Sequence, residues 1–148
     1  MRFLDHRQLG VAPATAGSSA IAVDGHSGRV EGVVLEAAVV LEAEDPIQGW
    51  LFFMTDDVPY EDMLTITLTD AGLRPLDRAR IGAPYVTGTF RAPRIDGPGR
   101  LSFDFIDERR WHLAVLARPT LALPFVGDPR GVHRPLRLHR HFTLDTSG

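Results

Sequence analysis

PYVTGTFRAP (84–93), RLSFDFI (100–106) and RRWHLAVLARP (109–119) are three strand-like runs joined by two short turns, and this stretch decides the fold. Asp96-Gly97-Pro98-Gly99 supplies residues that take positive φ or hold φ near its turn value, so it reverses the chain between Ile95 and Arg100. Asp107-Glu108-Arg109 reads as a three-residue loop between Ile106 and Arg110. With these turns, antiparallel pairing sets Phe90 opposite Phe105 and Phe105 opposite Trp111, while the other face aligns Arg91, Asp104 and His112. Slipping either hairpin by one residue would mix the aromatic and charged sets. A buried aromatic stabilises by about 1.5–3 kcal/mol and a cross-strand charged pair by only about 0.2–1 kcal/mol, so the aromatic row sets the fold. The charged row is left for other use.

A chain of 148 residues with 44% hydrophobic content suits one domain with a core of its own. The absence of cysteine excludes disulfides, thiolate nucleophiles and cysteine metal sites. All 16 basic residues are arginine, which excludes lysine Schiff-base chemistry and reads as a GC-rich, bacterial-type coding sequence. The first residues hold Asp5 and then small side chains, so neither a signal peptide nor a membrane span is legible and a cytoplasmic location is expected.

Working outward, residues 1–28 have turn-rich composition and little periodicity, and read as a flexible arm with a short strand at 20–23. In this arm Gly25-His26-Ser27-Gly28 lacks the glycine spacing of a nucleophile turn. Residues 29–148 form the antiparallel β domain. RVEGVVLEAAVVLEA (29–43) is rich in β-branched residues and reads as strand, with a helix over 36–44 as the alternative. GWLFFMT (49–55) is apolar on both faces, which marks a central strand covered on both sides. MLTITLT (63–69) alternates Leu64, Ile66 and Leu68 against Thr65, Thr67 and Thr69. Further strands are expected over 73–81, 120–126 at an edge, and 136–144, where Arg140 intrudes on the apolar side. About seven to nine short strands without a long helix argue an all-β, single-domain antiparallel β-sandwich, with a small closed β-barrel as the alternative.

The candidate chemistry is sparse. Asp104 beside His112 would orient an imidazole for acid–base work, with Arg91 holding an anionic group. His139 and His141, two apart on a strand, project from one face and offer a divalent metal two ligands, with His133 or His112 as a third. Asp56, Asp57, Glu61 and Asp62 are oxygen ligands without the spacing of a calcium loop.

Charge is segregated. Nine acidic and no basic residues lie between Glu31 and Asp62, whereas 130–141 carries four arginines, three histidines and no acid. The two segments pair within the fold, meet across a homo-oligomer, or the basic one receives an acidic protein or anionic small molecule through Arg130, His133, Arg134 and Arg137. Duplex nucleic acid is not expected, since the net charge is −3 and binding wants an extended basic face. The reading is a small β-domain for binding or assembly. Its alternative is an enzyme without organic cofactor, of cyclase, isomerase or hydrolase type, using Asp104 and His112 or a metal on His139 and His141.

Overall fold

The computed structural model describes residues 1–58, 62–83, 88–106, 109–121, 127–135 and 138–147. In chain order these form β1 (Arg2–Phe3), a 3-10 turn (His6–Gln8), β2 (Gly10–Pro13), β3 (Ser18–Val23), β4 (His26–Glu31), β5 (Val34–Leu41), β6 (Gly49–Thr55), β7 (Leu64–Thr69) and β8 (Pro75–Ile81). β9 (Arg91–Gly97), β10 (Arg100–Asp104), β11 (Arg110–Leu121), β12 (Val132–His133) and β13 (His139–Ser147) follow. The protein is all-β, with three antiparallel sheets and no closed barrel among the described residues: a central sheet β1-β5-β6-β7-β8-β12, a back sheet β13-β11-β10-β9 and a front sheet β2-β3-β4. No helix among the described residues is long and apolar enough to cross a membrane.

Every residue of β6 is buried. Successive side chains of a strand point to opposite faces, so its apolar run feeds two cores at once. Leu51 and Phe53 join Val39, Leu64, Ile66, Leu68 and Ile81 against the back sheet's Leu101, Phe103, Trp111, Leu113, Phe142 and Leu144. Trp50, Phe52 and Met54 meet Ile21, Val23 and Val30 of the front sheet. The rings of Phe53, Phe90 and Phe103 cluster with centroids 5.3–5.5 Å apart.

Residues 1–28, expected as an arm, instead supply β1, β2 and β3 and the start of β4. The short strand expected at 20–23 is the end of β3, where Ile21 and Val23 are buried. The layer exists because β6 is apolar on its front face as well, so something must cover it. The run 29–43 is strand, as expected, but broken in two at Gly32, whose φ of 113° carries the chain past Met54 where a side chain would collide.

The organising hairpins hold their faces and change their registers. The first turn is tighter than expected: Gly97 pairs with Arg100 across Pro98 and Gly99, and irregularities downstream restore Asp104 opposite Arg91. In the second, Phe103 and not Phe105 lies opposite Trp111, and Asp104 faces Arg110. Phe105 leaves the ladder to enter the core and its carbonyl accepts the Trp111 indole N–H at 2.9 Å, which lengthens the loop. The slip is two residues, so the aromatic row stays inward. The expected edge strand over 120–126 lies outside the described residues beyond Leu121, which ends β11, as does the start of the strand expected at 136.

One buried carboxylate joins the sheets. Asp45, in the β5–β6 loop, accepts from the Met1 ammonium at 2.6 Å, the Glu42 amide at 2.7 Å and the Gly99 amide at 2.7 Å in the β9–β10 turn. Burial alone pushes this carboxyl up, but the ammonium and the two amides outweigh it and hold Asp45 below the usual carboxylate range. A lowered folded value means that the stabilisation is complete above the unfolded value near pH 4 and is lost as pH falls through the folded one. Asp45→Asn should therefore flatten the acid limb of a stability-versus-pH curve and cost about 1.5–3 kcal/mol at neutral pH in denaturant melts. Trp111→Ala should cost about 3–5 kcal/mol in the same melts; a loss under about 1 kcal/mol would contradict its place in the core.

Candidate functional site

A cleft of about 830 Å³ opens where the front sheet stops short of covering the central one. The front face of the central sheet grades across its strands. Phe52 and Met54 of β6 lie under the front sheet; beside them on β7 are Thr67 and Thr65; beside those on β8 are Arg78 and Arg80. The opposite wall comes from β4, with Arg29, Val30 and Glu31, and from the β2–β3 turn, 15–18. Val33 and Val58 stand exposed on the rim.

The alternation in 63–69 placed Thr65 and Thr67 opposite Leu64, Ile66 and Leu68, and they are opposite, yet both are buried, 1% and 2% exposed. Their hydroxyls have no hydrogen-bond partner among the described residues, nor do the Nε atoms of Arg78 and Arg80. An unmet buried polar group costs about 1–3 kcal/mol, so four on two adjacent strands are a concentrated liability. The arginines are held at their far ends: Arg78 Nη1 donates to Glu31 at 2.6 Å and Arg80 Nη2 to Asp56 at 2.8 Å. Those carboxylates fix each guanidinium while leaving its Nε–H unmet. Two residues along each strand the arrangement repeats, with Thr65 across from Arg80 and Thr67 across from Arg78.

The residues expected to carry chemistry from sequence are placed elsewhere. Asp104 does not meet His112: it pairs with Arg110 at 3.0 Å, while His112 lies opposite Ser102 with its Nε2 2.7 Å from the Ser147 hydroxyl. The two-residue slip that seats Phe105 in the core separates this dyad. Arg91 is exposed opposite Asp104. On this face it is Asp96 whose carboxyl is held low: burial pushes it up, and the Ser102 hydroxyl and Arg94 more than offset that.

Arg134 is not available to a ligand. Its side chain is 8% exposed, with Nη1 on Asp77 at 3.1 Å, Nε on Asp128 at 3.0 Å, Nη2 on the Phe142 carbonyl and its guanidinium 4.7 Å above the Phe142 ring. Arg140, the intruder on the apolar side of β13, pairs with the same Asp128 at 3.1 Å. Arg130 and His133 are exposed beside a smaller cavity of about 340 Å³ that also includes His139. Arg137 lies outside the described residues. Among the described residues, Arg134 and Arg140 of the basic segment pair with Asp77 and Asp128, and the acidic segment pairs with Arg2, Arg78, Arg80 and the N-terminus.

His139 and His141 sit two apart on β13, as expected, but His112 is across from Asp145 and His133 belongs to the central sheet. Among the described residues no three His, Asp or Glu side chains converge to hold a metal. Asp56 and Asp62 are engaged by Arg80 and by the Asp56 amide, Asp57 is exposed at φ 56°, and Glu61 lies outside the described residues. Ser27 and His26 are exposed at the start of β4 after a tight Asp24-Gly25 turn.

The threonines and arginines of the cleft were missed because alternation assigns the threonines to one face of the strand without saying what covers that face. The available signal was two arginines two apart in LDRARI (76–81), one turn after the TITLT run (65–69). Comparison with protein-family models, with curated proteins and with solved structures finds no match to this chain.

Breaking a buried pair strands its partner's charge, at about 3–5 kcal/mol. Arg134→Ala should therefore lower stability by about that amount, and Arg134→Glu should unfold the domain, read by circular dichroism. Full stability in both variants would return Arg134 to the candidate ligand contacts.

Proposed function

We propose that this domain binds a small anionic ligand in the cleft over β7 and β8. The observation that carries the reading is the set of four unmet buried groups on Thr65, Thr67, Arg78 and Arg80. All four can donate, and the two guanidinium N–H groups can only donate, so the missing partner is a hydrogen-bond acceptor. Carboxylates and phosphates are the acceptor groups best matched to arginine. The volume falls in the range of small-molecule sites, and the rim valines supply apolar surface for the body of a ligand. This keeps the anionic ligand expected from the charge pattern and moves its site from the basic C-terminal segment to the central sheet. A binding role takes precedence over the enzymatic alternative because the Asp104–His112 dyad that would have carried catalysis is not assembled.

Thr65→Val with Thr67→Val removes two unmet hydroxyls at nearly constant shape. The double variant should melt higher, by about 1–2 kcal/mol, and should lose the thermal stabilisation that acetate or phosphate gives the parent protein. A parent protein whose melting temperature responds to neither anion, or a double variant that responds as the parent does, would sink the reading.

A further inference from the structure

The donors in the cleft form two copies of one unit. Thr65, Arg80 and Asp56 make the first; Thr67, Arg78 and Glu31 make the second. Each offers one hydroxyl and one guanidinium N–H, with the acid fixing the far end of the arginine. Equivalent atoms two residues apart on a strand are separated by about 6.8 Å. Resting on the anion-binding reading above, we infer that the ligand is an elongated small molecule with two planar acceptor groups about 7 Å apart, each a carboxylate or an amide and at least one a carboxylate.

Two donors per unit suit one planar acceptor group: the two oxygens of a carboxylate, or the two lone pairs on the single carbonyl oxygen of an amide, can meet an arginine and a hydroxyl together. The charge count disfavours phosphates: Arg29, Arg78 and Arg80 are offset by Glu31 and Asp56, while Asp77 is taken by Arg134, so the cleft holds a net charge near +1. Two phosphates would bring up to about four negative charges into it, against one or two for a diacid or its mono-amide. Finally, a group filling one unit leaves two donors unmet in the other, so joining two groups through a fitting spacer satisfies all four in one binding event. In a linear six-carbon diacid, five carbon–carbon bonds of about 1.5 Å in a staggered chain put the carboxyl carbons roughly 6.3 Å apart.

Titration calorimetry on the intact protein with acetate, hexanoate, succinate, adipate, adipate mono-amide and inorganic phosphate tests this. Adipate or its mono-amide should bind at least about tenfold tighter than hexanoate, which has the same length and one head group, and tighter than the shorter succinate. Thr65→Val and Thr67→Val, made singly, should each bring adipate down to the hexanoate level while acetate still binds. Equal affinity for adipate and hexanoate would overturn the two-point ligand and leave single-anion binding standing. Phosphate tighter than every diacid would overturn the ligand class. No heat with any of the six overturns both this inference and the reading it rests on.

Discussion

A strand that is apolar on both faces must be covered on both, and β6 imposes that demand on everything around it. Trp50, Phe52 and Met54 project one way and Leu51 and Phe53 the other, all with essentially no exposure. A two-layer sandwich satisfies only one of these sets. At about 25 cal/mol per Å² of apolar surface, leaving the front set in water would forfeit several kcal/mol, comparable to the whole margin of a domain this size. The front sheet is thus required by the central strand and is not an accessory to it.

The cleft follows from where that cover ends. β2, β3 and β4 lie over the β5–β6 half of the central sheet, and beyond it the face turns from phenylalanine and methionine to threonine and arginine. Polar side chains near the parting of two layers are neither solvated nor packed. Glu31 and Asp56 settle the ends of the arginines, and the remaining unmet donors are instability that a bound acceptor would relieve. On the opposite face of β8, Asp77 and Arg134 close the sandwich with a buried pair capped by the Phe142 ring.

What the sequence made legible was set by how local each signal is. The inward aromatic row, the centrality of 49–55, the alternation of 63–69 and the choice of strand over helix for 29–43 all rest on periodicity within one segment. Residues 1–28 failed because a thin, glycine-rich sheet has weak periodicity: its β2 is exposed throughout and only Ser19, Ile21 and Val23 of β3 are buried. The dyad of Asp104 and His112 failed for a different reason. Its face was right, but pairing depends on loop length, and Phe105's preference for the core over the ladder is a tertiary effect invisible in the turn composition.

The two walls of the cleft have different genealogies in the chain. The floor, β7 and β8, is shared with the sandwich core through Leu64, Ile66, Leu68, Ala79 and Ile81, so changes there are coupled to folding. The facing wall is drawn from one uninterrupted segment, 15–33, whose turn residues 15–17 touch neither core. Thr15 and Ala16 at that turn are exposed and can vary at little thermodynamic consequence, because surface loops tolerate change, whereas Gly17 is held by its φ of 79° and by the Gly32 amide that its carbonyl accepts. Under the proposed anion binding, the donors on β7 and β8 are tied to the architecture while the wall that would face the body of a ligand is not, so editing one hairpin tip would reshape the cleft without touching those donors.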